Sequence, residues 1–172
     1  MDCLLVGGAP SVGKSHLIHG LALWILNKPG FLLASAKSYN SNALNSLNNN
    51  PFVDFMAVID GVNTFNKKIR IIVNSATDDV NIINNFKGFF DANGGYDILI
   101  SSVRDGDLRN GNFWPRQEFF QIMNLNSISN LILELPLAKV TRRRNSQSAY
   151  NWYETETSRL AQHILSRNPF NL

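Results

Sequence analysis

The sequence predicts an α/β fold with a mostly parallel central sheet and helices on both of its faces. Three observations predict it. Runs that are apolar almost throughout, DCLLVGG (2–8), YDILISS (96–102) and NLILELPLA (130–138), read as strands buried on both sides, the habit of parallel sheets. Between them lie segments whose apolar residues recur three and four positions apart, the helical period. The first strand also runs through a glycine-rich turn straight into the first helix.

The elements follow in order. After DCLLVGG, a helix from Lys14 to Leu26 puts Leu17, Ile18, Leu21, Trp24 and Ile25 on one face, and Asn27-Lys28-Pro29-Gly30 stops it. FLLASA (31–36) is the second strand. YNSNALNSLNNNP (39–51) holds part of an excess of Asn. The 23 Asn of the chain crowd into this stretch and recur in the helical ones, which reads as compositional drift. Residues 38–51 read as a mobile loop or frayed helix. FMAVIDG (55–61) and KIRIIVN (68–74), separated by VNTFNK, suggest a hairpin, with two parallel strands as the alternative.

SATDD (75–79) precedes an amphipathic helix through Phe90, with Ile82, Ile83, Phe86, Phe89 and Phe90 inward and Asn93-Gly94-Gly95 as its close. Beyond strand 96–102, VRDGDLRNGN (103–112) is a polar loop, and Pro115 to Met123 is helical with Pro near its start. Strand 130–138, the basic segment KVTRRRNSQS (139–148) and a last helix from about Asn151 to Leu165 complete the chain. With neither an internal repeat nor a linker, residues 1–172 read as one domain.

Composition narrows the function classes. At 172 residues with 44% hydrophobic and 17% charged, the chain can build one core of ordinary size. A net charge of +3 suits a phosphate-bearing ligand and does not call for nucleic acid. A single cysteine, Cys3, excludes an internal disulfide and fits a reducing compartment, and it falls inside a strand, where it reads as core. No apolar run is long enough to cross a membrane and no leader peptide is read, so the expectation is a cytoplasmic protein without membrane contact. His16, His19 and His163 read as helix-surface residues. No Cys/His spacing suggests zinc.

The chemistry is concentrated in GAPSVGKS, Gly8 to Ser15, a G-x-x-x-x-G-K-S motif between a strand and a helix. A triphosphate needs many donors close to its oxygens, more than bulky side chains can supply. A glycine-rich loop lets backbone N–H groups converge on it, and the helix behind adds its positive end. Gly8, Ala9, Pro10, Ser11, Val12, Gly13, Lys14, Ser15 and His16 are the nucleotide-binding candidates, with Lys14 reaching the β- and γ-phosphates and the Ser15 hydroxyl offered to Mg²⁺. At average residue usage the four specified positions coincide by chance in roughly 1% of chains this long, before the strand–loop–helix setting is required.

These residues resemble the Walker A motif of the P-loop NTPases, and the alternation of strands and helices resembles that superfamily's three-layer fold. The resemblance implies ATP, or another nucleoside triphosphate, with Mg²⁺. Ligands of open parallel sheets sit beyond the carboxyl ends of the strands. That rule nominates Lys37, residues 74–79, residues 101–107 and residues 136–144.

The acidic residue these families add after a second apolar strand has no clean counterpart here. Asp78 is the metal candidate and Asp79 the catalytic one, although Thr77 and Asp78 would also serve as helix caps. Asp105 is a third acid near a strand end.

The basic run after the last strand resembles the arginine-bearing lid of nucleoside and nucleotide kinases. That makes 139–150 a lid candidate and gives Arg142 and Arg143 the role of neutralising charge on the transferred phosphoryl group. Arg104, Arg109 and Arg116 are alternative phosphate grips.

Three functions stay open. The leading one is a small kinase-like phosphotransferase with a small-molecule phosphate acceptor, its second pocket near 36–55 and 104–116. Another is an NTP hydrolase acting as a switch or accessory ATPase, since residues 55–79 resemble the hairpin and following loop of small GTPase-like proteins. Their guanine-reading N-K-x-D is missing, with LPLAK (135–139) in its place. The last is a regulatory module that only holds nucleotide. An antiparallel pair at 55–61 and 68–74 favours the switch, an all-parallel sheet the kinase.

Overall fold

The structure is a computed structural model that describes residues 1–40, 42–48, 51–105, 113–139 and 147–172. Six strands form one sheet: β1 (Asp2–Gly8), β2 (Leu32–Ser38), β3 (Phe55–Val62), β4 (Lys68–Asn74), β5 (Ile98–Arg104) and β6 (Leu131–Pro136). Their spatial order is β2-β3-β4-β5-β1-β6. β1 pairs in parallel with β5 and with β6, and β4 pairs in parallel with β5. β3 is antiparallel to both β2 and β4. The fold is therefore α/β with a mostly parallel sheet, and residues 55–74 form the hairpin rather than a parallel pair.

Period-2 alternation in β1 divides the core. Leu4 and Val6 face one cluster, with Ile18, Leu21 and Ile25 of α1 (Lys14–Leu26) and with Ala161 and Leu165 of α5 (Gln147–Leu165). Cys3 and Leu5 face the other cluster, with Ile83 and Phe86 of α2 (Val80–Asn93) and Phe119 of α3 (Pro115–Ile122). Both faces are thus covered. β1 is buried from Cys3 to Gly8, as its apolar run requires. Cys3 is core, its sulfur 3.1 Å from the Ser129 hydroxyl.

Several boundaries differ from the sequence reading. β2 reaches Ser38 and is flanked by the bridge of Lys37 with Ala43. β6 stops at Pro136, which has no N–H for a further rung, and Leu137 N donates to Gly7 O at 2.8 Å instead. A four-residue helix, α4 (Leu125–Ile128), follows α3 where none was foreseen, its entry set by Asn124 in the left-handed region. α5 begins a turn early, at Gln147, so the end of the lid candidate is helical. Residues 140–146, which carry Arg142 and Arg143, lie outside the described residues.

The described part of the 38–51 segment contains no helix and is anchored: Leu47 is buried, and Leu44 N donates to Ala36 O at 2.9 Å. His19 is correspondingly not a plain surface residue. Its ring lies 2.7 Å from the Leu47 carbonyl oxygen and packs edge-on against Phe52 and Phe55.

α2 is capped by Asp79, whose Oδ1 accepts from Asn81 N at 2.8 Å and Ile82 N at 2.9 Å. Asp79→Ala is expected to lower stability by about 1 kcal/mol through loss of that cap. Urea unfolding measures it, and a midpoint equal to that of the unsubstituted protein would contradict the cap's contribution.

Candidate functional site

All four parallel strands end at one edge of the sheet, which brings the predicted segments together. Gly8 of β1 is level with Arg104 of β5, Gly7 with Pro136 of β6, and Asn74 of β4 with Ser101 of β5. The loop from Gly8 to Gly13 wraps over this edge. Gly8 has φ 145°, Ser11 φ 60° and Gly13 φ 93°. Any side chain at Gly8 would also meet the backbone, with a Cβ only 3.1 Å from Leu137 O.

The two helices that start at this edge are built differently. α2 has its first N–H groups taken by Asp79. α1 starts at Gly13 with no side-chain cap and no acid in its first turn. Its leading N–H groups and positive end therefore face the loop cavity. Lys14 is buried there, its Nζ donating to Gly8 O at 2.9 Å and Ala9 O at 2.8 Å. Burial lowers the pKa of the Lys14 ammonium below the usual 10.5. Asp78 and Asp105 push it back up, and Arg104 pushes it further down.

Ser15 is tied to the end of β4: its hydroxyl donates to Ser75 O at 2.9 Å. Ser75 is itself fixed to β3, since Phe55 N donates to its Oγ at 2.8 Å and that hydroxyl donates to Asp54 Oδ1 at 2.9 Å. A cavity of about 200 Å³ results, lined by Ser11, Gly13, Lys14, Ser15 and His16 on one side and by Phe52, residues 75–78 and Ser102 on the other.

The acids separate here. Asp78 lines the cavity and pairs with Arg104 Nη1 at 3.4 Å. Asp79, the catalytic candidate, is exposed and committed to the α2 cap, and it is not among the lining residues. Asp105 sits beneath the loop, its N donating to Gly8 O at 3.1 Å. Its Oδ2 lies 2.9 Å from where a Cβ on Gly7 would stand. Arg116 is paired with Glu134 and stacked on Phe120 at 4.5 Å, away from the cavity. Arg109, like Arg142 and Arg143, lies outside the described residues.

The sequence reading reached Phe52 and Ser102 only inside the broad segments 36–55 and 101–107 and gave neither a role of its own. Ser102 is 1% exposed, lines the cavity, and its hydroxyl has no hydrogen-bond partner among the described residues. Its signal in the sequence is the pair of serines interrupting an otherwise apolar strand. Lys37 borders a different cavity of about 330 Å³, with Tyr39, Met56 and Phe89. Asp105, Trp114 and Arg116 border another of about 240 Å³. Neither shares a lining residue with the loop cavity.

Mg²⁺ takes hard oxygens and keeps much of its shell from phosphate and water. The Ser15 hydroxyl and the Asp78 carboxylate are donors of that kind, both at the cavity wall. Among the described residues no three His, Cys, Asp or Glu gather into a metal cage, so the protein's share of such an ion would be one or two oxygens. No described helix is long and apolar enough to cross a membrane. No family model, curated protein or solved structure matches the chain, so its function has to be argued from these residues.

Proposed function

We propose that the chain binds a nucleoside triphosphate with Mg²⁺ at the Gly8–Ser15 loop and hydrolyses it, the loop after β4 sensing the γ-phosphate. The observation that carries this reading is the one cavity in which the uncapped start of α1, Lys14 and Ser15 face residues 75–78 and the unpaired Ser102 hydroxyl. In this reading the backbone N–H groups and Lys14 hold the β- and γ-phosphates, and Ser15 and Asp78 hold the ion, which offsets the phosphate charge. Ser102 and Thr77 line the wall where the terminal phosphate and the attacking water would meet.

Hydrolysis is favoured over transfer to a small acceptor by two features. β3 and β4 form an antiparallel hairpin, whose exit at Ser75 is bonded directly to Ser15. The two cavities near the expected acceptor segments share no wall with the loop cavity among the described residues. The phosphotransferase alternative rests on Arg142 and Arg143. Incubation with Mg-ATP and a panel of nucleosides and small metabolites separates the readings: free phosphate is expected, and a phosphorylated acceptor formed in its place would overturn hydrolysis.

Lys14→Ala is expected to weaken Mg-ATP binding by about 100-fold, on the order of 3 kcal/mol, while the circular dichroism spectrum is kept. Unchanged affinity by calorimetry would remove the phosphate-loop assignment. The depressed Lys14 pKa adds a pH signature. The ammonium is the binding form, present below its folded pKa and lost as pH rises through it. ATP affinity should therefore begin to fall on the alkaline side before the ordinary lysine value of 10.5. Dissociation constants measured across that range test this, and a flat profile up to 10.5 contradicts it.

A further inference from the structure

The cavity of about 330 Å³ that Lys37 borders is a groove between α2 and the β2–β3 edge of the sheet. Its floor is Met56, a buried residue of the face that packs on α2, and Lys37 stands opposite Met56 in the β2–β3 register. The other wall is α2, through Asn84 and Asn85 in its second turn and Gly88, Phe89 and Ala92 beyond them. From Asn84 to Ala92 is eight residues of helix, about 12 Å at 1.5 Å per residue.

The direction of the elements gives this groove two unlike ends. β2 is antiparallel to β3 and β3 to β4, so β2 and β4 end at the same edge, from which α2 runs back. Lys37, Ser38 and Tyr39, at and just after the end of β2, therefore meet the first half of α2, where Asn84 and Asn85 lie. Farther along α2 the lining is Gly88, Phe89 and Ala92, without a polar side chain. One end is rich in donors and the other is apolar.

Lys37 is half-buried, and its ammonium makes neither an ion pair nor a hydrogen bond among the described residues. None of the residues lining the groove is acidic. A lone surface lysine calls for no ligand, but this one stands in a groove whose wall is fixed. The Tyr39 hydroxyl donates to Oδ1 of the fully buried Asn74, and Asn74 Nδ2 donates to Ser101 Oγ at 2.9 Å. Burial raises the Tyr39 pKa, so that wall stays neutral. Over Gly88 the groove is open: a Cβ there would meet nothing within 4 Å.

We propose that this groove binds a small organic carboxylate with an apolar tail, as a second ligand of the chain. The carboxylate lies at Lys37 and the Asn84 and Asn85 amides, and the tail runs along Gly88, Phe89 and Ala92. Ammonium and amide N–H groups are donors of the kind a carboxylate accepts from, and the apolar end removes a short hydrocarbon from water. A single cation matches a single negative charge, which favours a carboxylate over a phosphate ester. The proposal is independent of what the Gly8–Ser15 loop binds, because the two cavities share no lining residue.

The test titrates sodium hexanoate into the full chain and reads amide NMR shifts, with hexanamide as the neutral probe and acetate as the probe without a tail. Hexanoate should move the Asn84, Asn85 and Gly88 signals with a dissociation constant of about 1 mM, about tenfold tighter than either control. Lys37→Met keeps the apolar stem without the charge and should remove the preference over hexanamide. Gly88→Leu fills the groove at a helix position where Leu is the better helix former, and should weaken hexanoate about tenfold or more. No saturable shift of these signals by about 20 mM hexanoate overturns the site, as does undiminished affinity in a folded Gly88→Leu. An intact preference in Lys37→Met overturns the ion contact and with it the ligand class. Shifts at Gly8 and Gly13 in place of those on α2 put the anion at the loop and overturn the groove assignment.

Discussion

The common exit edge of β1, β4, β5 and β6 is the constraint on which the site depends. Parallel pairing sends every one of these strands out at the same edge, so the segments after them have nowhere to go but over one another. β5, between β1 and β4, sets the width of the site. It separates the Gly8–Gly13 loop from Asn74 and Ser75 by one strand and puts Ser102 beneath the gap. A slip of one residue in the β1–β5 register would turn Ser102 to the opposite face, among the apolar residues packed on α2 and α3. The hydrophobic alternation that fixes the core therefore also aims the hydroxyl.

Within that frame the loop holds a charge that the fold alone does not use well. Burial disfavours the Lys14 ammonium, and two carbonyl oxygens of its own loop are its only hydrogen-bond acceptors among the described residues. A polyanion would supply the counter-charge that burial withholds. Ser15 is in a similar position. Its bond to the Ser75 carbonyl links the start of α1 to the hairpin, and any ligand that competes for the Ser15 hydroxyl acts on that link. From Ser75 the connection continues to Phe55, the first residue of β3, and to Asp54 just before it, so one chain of hydrogen bonds runs from the start of α1 to the hairpin.

Much of this was legible in the sequence because it is local. The apolar run of β1, the glycine spacing and the helical period of Leu17, Ile18, Leu21 and Ile25 act within a few residues of one another, and they gave the loop, the helix behind it and the α/β class. What was illegible is set at long range. No pattern in YNSNALNSLNNNP marks Leu47 as a core residue, because its burial depends on His19 and β3 arriving beneath it. Nor does anything near Glu154 point to Gly13, which stands 141 positions away and approaches only once α5 packs on α1. The fate of Asp79 was half legible: SATDD offered caps and ligands in the same five letters. Only the direction of the chain at Thr77, whose hydroxyl accepts from Arg104 N at 3.1 Å, decides which carboxylate faces the cavity.

The contrast between the two helices that begin at this edge is the strongest argument that the edge is built for an anion. A helix start costs the fold unless its leading N–H groups find acceptors. α2 meets that requirement with its own Asp79. α1, one strand away and of similar length, has Gly at the equivalent place, no acid in its first turn, and a buried ammonium beside it. Were the edge merely structural, an Asp or Ser in place of Gly13 would be the cheaper solution for the cap. The loop instead runs through positive φ at Gly8, Ser11 and Gly13, and leaves the start of α1 without a side-chain cap. An open helix start, a buried cation and backbone turned away by positive φ are all features that an anionic partner would suit.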